Sequence, residues 1–252
     1  SEIEAYNAER KDLDQQITKE ALNQIEENGE QNRFTSVVFQ ETWHKGVIGI
    51  VASRLIETYY RPTLVFTKSG DKYAASARSV KGFDVYNALE ACAEHLEQFG
   101  GHMYAAGMTL KPENYTAFKE AFERVVQETI APEWLEPEIS IDAIVDFDEI
   151  TPKFTRILKQ FEPCGPQNMT PVFVSKNVVD TGYGKPMGKE EEHLKLFVRQ
   201  NNSEGIPAIG FGLGKKYEIV KNKQLFEAAY CIDENEWNDK IELQLRLKDI
   251  RI

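Results

Sequence analysis

Residues 98–110, QFGGHMYAAGMTL, set two adjacent glycines and a histidine between a helical apolar pattern and an alternating one. Upstream, Val85, Ala88, Leu89, Cys92, Ala93 and Leu96 recur at helical spacing behind Asp84, a residue suited to capping a helix N-terminus. Downstream, Met103 to Leu110 reads as a strand. The junction has two readings. In one, Gly100 takes the left-handed position that stops a helix, Gly101 continues the bend and the histidine is incidental. In the other, the bared amides of a Gly100-Gly101-His102 turn form an anion-binding nest to which His102 adds a side-chain donor.

Working outward, RFTSVVFQ predicts a short strand, and WHKGVIGIVASRLIETYY a helix opening near Gly46. RPTLVFTKSG and KYAASARSV predict two strands joined at a Gly-Asp turn, and a further helix is expected from about Glu113. Strands alternating with helices define an α/β domain with a mixed sheet from about Arg33 to Ile130. Ahead of it, Leu13, Ile17, Ala21, Leu22 and Ile25 mark one face of a long helix ending at Asn28-Gly29. A one-faced helix in that place needs something to pack on, and it suggests a chain cut from a longer one.

Beyond the proline-rich APEWLEPEIS, the best linker candidate, the grammar changes. PVFVSKNVVDTGYG, EEHLKLFVRQ, GIPAIGFGLG, LFEAAYCIDENEW and KIELQLRLKDIRI are five strand-like runs, with a short helix expected around Lys215 to Val220. Such a series suits a small all-β barrel of the oligonucleotide-binding (OB) type.

The chain has 252 residues and a net charge of −11, which argues against a surface coated for nucleic acid. The average conceals a division. Residues 1–152 carry 14 Lys and Arg against 27 Asp and Glu, whereas residues 153–252 carry 16 against 14. No apolar run approaches the ~20 residues of a membrane span, and SEIEAYNAERKDLDQQ lacks a signal-peptide pattern, so the cytoplasm is the expected compartment. Cys92, Cys164 and Cys231 are scattered, as are the four histidines, so neither a disulfide framework nor a metal site is signalled. No P-loop, nucleophile elbow or complete dinucleotide fingerprint is present.

Several residues can carry chemistry. If AASARSV is a strand, its period of two sends Ser76 and Arg78 to one face, where a guanidinium fork and a hydroxyl can seize a terminal phosphate. The alternative is an edge-strand arginine in a surface ion pair. His44 precedes a helix N-terminus and can join an anion site there, or it serves as a cap beside a core Trp43. His95 falls on the charged side of its helix. On the second domain, Lys195, Arg199 and Trp237 are candidate contacts to a nucleic-acid strand, with His193 beside them. The core reading is favoured for Phe197 and Phe211.

Five blocks, WHKGVIGIVASRL, SARSVKGFDVYNALEAC, FGGHMYAAGMTL, FEPCGPQNMTPVF and ENEWNDKIELQLRLKDIRI, together resemble the C-terminal portion of the bacterial RecJ family of single-strand-specific 5′→3′ DNA exonucleases. The resemblance runs from the opening helix to the last strand. It implies a connector helix over residues 1–30, a DHH-associated domain over 31–131, a linker with a short helix over 132–160 and an OB-like domain over 161–252. It implies that Ser76 and Arg78 hold a 5′ phosphate, and that Gly100, Gly101 and His102 contact the scissile phosphate. The Mn²⁺ or Mg²⁺ ions of the family would be held by a separate N-terminal DHH domain whose motifs are absent here, so this chain alone would be inactive. The implied partners are single-stranded DNA with a 5′ phosphate, the DHH domain and other DNA repair and recombination proteins. The competing expectations are a non-catalytic nucleic-acid or protein binding module and part of a small-nucleotide phosphoesterase.

Overall fold

The computed structural model describes residues 2–165, 167–237 and 240–252, with side chains described outside 1–5 and 236–241. It divides into two compact units, Ser1–Pro137 and Glu138–Ile252.

The first unit opens with α1 (Glu2–Glu27), which stops where Gly29 adopts φ +66° and Glu30 N–H donates back to the Ile25 carbonyl. There follow β1 (Ser36–Phe39), α2 (Ile48–Thr58), β2 (Thr63–Ser69), β3 (Lys72–Arg78), α3 (Val85–Glu90), β4 (Gln98–His102), β5 (Ala105–Leu110) and α4 (Tyr115–Thr129). The sheet order is β1-β2-β3-β5-β4, with β1 and β2 parallel and every other pair antiparallel. Alternation divides the sheet residues between two faces. Leu64, Phe66, Ala75, Ala77, Met108 and Leu110 pack with Phe118, Phe122 and Val126 of α4 and with Val85 and Leu89 of α3. On the opposite face, Val38 and Val65 meet Val51, Ala52 and Leu55 of α2 and Ile17, Ala21 and Ile25 of α1.

The face of α1 therefore finds its partner inside this unit. Asp14 takes a bidentate contact from Arg54 (2.6 and 2.8 Å), and Glu20 accepts from the buried Trp43 indole at 2.8 Å. Gln24 both donates to and accepts from the backbone of Phe39, satisfying the edge strand β1. Buried Arg61 donates to the Glu30, Gln31 and Arg33 carbonyls and so pins the α1–β1 loop. Residues 132–135 form a short 3₁₀ turn whose Trp134 packs on the first unit's core.

Two local expectations are corrected. The helix begun at Asp84, which accepts from the Tyr86 and Asn87 amides, ends at Glu90 and gives way to a 3₁₀ turn at Ala93–His95. Phe99-Gly100-Gly101-His102 is accordingly neither a helix stop nor a turn. It is the edge strand β4, and the hairpin bend falls at Met103-Tyr104. A glycine pair soon after a helical pattern imitates a helix stop, yet here it lies within a cross-strand ladder. Cys92 is in the core, and burial raises its thiol to about 11.

The second unit contains β6 (Ala143–Ile144), α5 (Pro152–Leu158), β7 (Phe173–Asp180), β8 (Lys185–Met187), β9 (His193–Gln200), β10 (Ile206–Gly210), α6 (Tyr217–Val220), β11 (Phe226–Trp237) and β12 (Lys240–Arg251). The sheet order β6-β7-β11-β12-β10-β9-β8, with an additional β7–β9 pairing, closes five strands into a ring. All ring pairs are antiparallel except β10–β12, which is parallel. That closed five-strand order with α6 between its third and fourth strands is OB-like. Leu194, Leu196, Val198, Phe226, Ala228, Leu245, Leu247 and Ile250 fill the interior. Tyr230 hydroxyl and Ser175 Oγ lie 2.6 Å apart in that core, and burial pushes the phenol to about 12.

Candidate functional site

α2 lies over β2 and β3, and the same sheet face continues beyond it across β5 and β4, where Gly107 and His102 are exposed. Cross-strand register fixes what the open face displays. Ser76 pairs with Gly107, which pairs with Gly100; two residues along, Arg78 pairs with Ala105, which pairs with His102. Directly paired residues project to one side, so Ser76, Arg78, Gly107, Gly100 and His102 share this face. Gly101 pairs with core-facing Ala106 and so offers its backbone alone.

A cleft of about 510 Å³ runs over this surface, with Lys45, Ser76, Gln98, Gly100, Gly107 and Thr109 among its lining residues. The lining holds no carboxylate, in a chain with net charge −11. Arg78 donates to Ser76 Oγ at 3.3 Å and to the Ala77 carbonyl at 2.8 Å, and no carboxylate among the described residues pairs with it. The alternative of a surface ion pair for this arginine is thus not what the structure contains.

The guanidinium and the Ser76 hydroxyl abut the first turn of α2, where a Cβ on Gly49 would come within 2.9 Å of Arg78 Nη2 and 3.0 Å of Ser76 Oγ. The α2 N-cap residue Val47 supplies no side-chain cap, and the Ile48 and Gly49 amides meet no acceptor among the described residues. A cation held at the positive end of a helix costs about 0.3–1 kcal/mol, and an anion between the two reverses the sign of both interactions. The site has an anion receptor's charge and donors.

His102 is exposed and its Nδ1 accepts from the Tyr104 amide at 3.3 Å, which leaves Nε2 as the outward N–H of the neutral ring. Arg78, His102 and His44 are all outside the cleft lining, but Arg78 and His102 lie on the same sheet face two residues from Ser76 and Gly100, whereas His44 is not on that sheet. The His44 ring folds back to accept from the Gly46 amide at 3.1 Å, and its neighbour Lys45 takes the lining position. Trp43 is core, as expected. Lys45 is concealed in the sequence by the more conspicuous histidine beside it, and Gly107 by its apolar surroundings.

On the second unit, inward Leu194, Leu196 and Val198 send His193, Lys195, Phe197 and Arg199 outward from β9. Tyr183, 77% exposed, meets Phe197 edge-on at 6.5 Å, and Phe211, 58% exposed, meets His193 edge-on at 5.2 Å. Core placement of Phe197 and Phe211 is therefore corrected. The interior positions of β9 are already taken, and Phe211 lies just beyond the end of β10. Exposed Lys195 stands directly opposite Lys185, a like-charge pair that is unfavourable without an anion. Trp237 ends β11 with its backbone paired to Lys240, while its side chain lies outside the described residues.

Among the described residues, no cluster of three or more His, Cys, Asp or Glu side chains is arranged to hold a metal. No described helix is long and apolar enough to cross a membrane.

Residues 30–128 match the DHHA1 domain, and residues 141–249 match the RecJ OB domain. The single-stranded-DNA-specific exonuclease RecJ of Bacillus subtilis is 31% identical over 254 residues, covering 100% of this chain and 32% of that protein. The enzyme of the same name from Salmonella typhimurium is 29% identical, covering 99% of this chain and 44% of its own length. The chain thus spans less than half of these relatives. The crystal structure of RecJ in complex with Mn²⁺ from Thermus thermophilus superposes with a TM-score of 0.79 at 24% identity, over 100% of this chain and 35% of that one, which establishes the shared fold. With a DHHA1 domain followed by a RecJ OB domain, the chain belongs to the RecJ family.

Proposed function

We propose that this chain is the DNA-gripping portion of a single-strand-specific 5′→3′ exonuclease that serves DNA repair and recombination. The observation that carries the reading is the in-register face over β3, β5 and β4, where the Ser76 hydroxyl, Gly107 and Gly100 line a carboxylate-free cleft and, two residues along the same strands, the Arg78 guanidinium and the His102 imidazole share that face. In this reading Ser76, Arg78 and the first-turn amides of α2 hold the 5′ phosphate, with Lys45 as a further cation at the cleft wall. The backbone of Gly100 and Gly101 and the outward Nε2–H of His102 face the scissile phosphate and stabilise the charge that grows on it as water attacks. His44 contributes only if its ring leaves Gly46. On the barrel, Tyr183 and Phe211 stack bases while Lys195, Arg199 and Lys185 follow the phosphates.

The relatives' Mn²⁺ and Mg²⁺ complexes support a divalent-metal reaction, in which the metal supplies activated water. No such site is formed among the described residues, and in this reading the ligands are supplied by a DHH domain. The free thiols of Cys92, Cys164 and Cys231 fit a reducing cytoplasm. A small-nucleotide phosphoesterase would have no use for an aromatic barrel face. The test is to assay the chain with Mn²⁺ alone and then joined to a DHH domain. The expected result is no hydrolysis alone and 5′-end degradation when joined. Degradation from the 3′ end would contradict the reading.

A further inference from the structure

We infer that Gly107 is a substrate-contacting position, the piece of bare backbone on which the sugar of the terminal nucleotide rests between the two phosphate-binding groups. The inference rests on the reading above.

Gly107 sits in β5, an interior strand between β3 and β4, where glycine is less favourable than alanine by roughly 0.5–1 kcal/mol. Three circumstances justify a glycine inside a sheet: a positive φ, a neighbour too close for a Cβ, or a ligand that must approach the backbone. Gly101 satisfies the first two. Its φ is +152°, and a Cβ there would overlap the Ala105 carbonyl and lie 2.5 Å from Ala106 Cα. The fold demands that glycine.

Gly107 satisfies neither. Its φ lies outside the left-handed region, it is exposed, and an added Cβ would find nothing closer than the Ala75 carbonyl at 3.9 Å. Gly100 likewise has nothing within 4 Å. The third circumstance remains, and the register shows what approaches. Gly107 is the middle of the row Ser76–Gly107–Gly100, so a side chain there would rise between the phosphate-holding edge and the β4 edge, which are about 10 Å apart at two strand spacings. The neighbouring row, Arg78–Ala105–His102, carries a methyl at its middle and lies outside the cleft lining, so a strand end that runs along the cleft from Ser76 to Gly100 crosses Gly107. The fold gains nothing from leaving that position bare.

Gly107→Val tests this in the whole chain, because valine suits a strand and fills the floor. The expected outcome is a thermal midpoint equal to or above that of the parent, with affinity for a 5′-phosphorylated single-stranded oligonucleotide lowered at least tenfold. The Arg78 Nε–H NMR signal should still respond to inorganic phosphate. Gly107→Ala is the second variant, expected to lower affinity severalfold without loss of stability, and Gly101→Ala is the contrasting control, expected to lower the midpoint. Parent-like oligonucleotide affinity in a folded Gly107 variant would overturn the inference, as would equal loss of the inorganic phosphate response. If the parent itself shows no preference for a 5′ phosphate, the failure lies with the proposed function instead.

Discussion

The two units each display a candidate binding surface in a chain of net charge −11, but they build it from opposite materials. The first unit's cleft is floored by Gly107, Gly100, Ala74 and Ser76, with the Lys45 ammonium and the Ser76 hydroxyl in its lining and the Arg78 guanidinium beside Ser76 against α2. The second unit's face carries large protruding rings, Tyr183 and Phe211, among lysines and an arginine. Under the proposed function the difference is a division of labour. A bare floor with converging donors recognises one charged group at one place, whereas exposed rings accept any base along a strand because every base has a stacking face. End recognition and strand tracking should therefore be separable by mutation.

The largest expected effect is on tracking. Replacing Tyr183 and Phe211 together with alanine should weaken binding of a single-stranded oligonucleotide by about 1–3 kcal/mol for each stacked base removed, alike for 5′-phosphate and 5′-hydroxyl ends, as read by titration calorimetry or anisotropy. A selective loss with phosphorylated ends would merge the two roles. Next is Gly49→Ala, whose methyl would press Arg78 and Ser76 away from the α2 amides. It should reduce binding of the phosphorylated end by roughly tenfold, the value of one charge-assisted hydrogen bond, and leave the hydroxyl end unchanged. Smaller is the double change Lys195→Gln and Arg199→Gln. It should flatten the slope of log affinity against log salt by about 0.7 for every phosphate no longer neutralised, measured between low and moderate salt. Smallest is His44→Ala, which should alter phosphorylated-end affinity less than about twofold, since its ring is engaged with Gly46 and is not on the sheet that carries Arg78 and His102.

Legibility follows the range of the interaction that fixes each feature. The Ser76–Arg78 pairing is visible in SARSV because alternation along a strand is local. The Asp84 cap and the one-faced α1 are visible for the same reason. Five strand-like runs are enough to suggest the barrel, yet the parallel β10–β12 pair and the β7–β9 closure depend on pairings far apart in sequence. The alignment of Ser76 with Gly107 and Gly100 is likewise a register between three strands that no single stretch encodes. Alternation states that Phe197 and Lys195 share a face without stating which face is outside, and only the packing of Leu194, Leu196 and Val198 decides it. The glycine pair misleads because a helix end and an edge strand make the same local request for small residues.

The claim on which the rest depends is that the Arg78 guanidinium selects a phosphorylated 5′ end. The direct measurement is the ratio of affinities for 5′-phosphate and 5′-hydroxyl oligonucleotides of one sequence, in the parent chain and in Arg78→Ala. The expected parent ratio is about tenfold or more, corresponding to about 1.5–3 kcal/mol, and it falls to near unity in the variant while affinity for the hydroxyl end is unchanged. An identical ratio in the two proteins would contradict it.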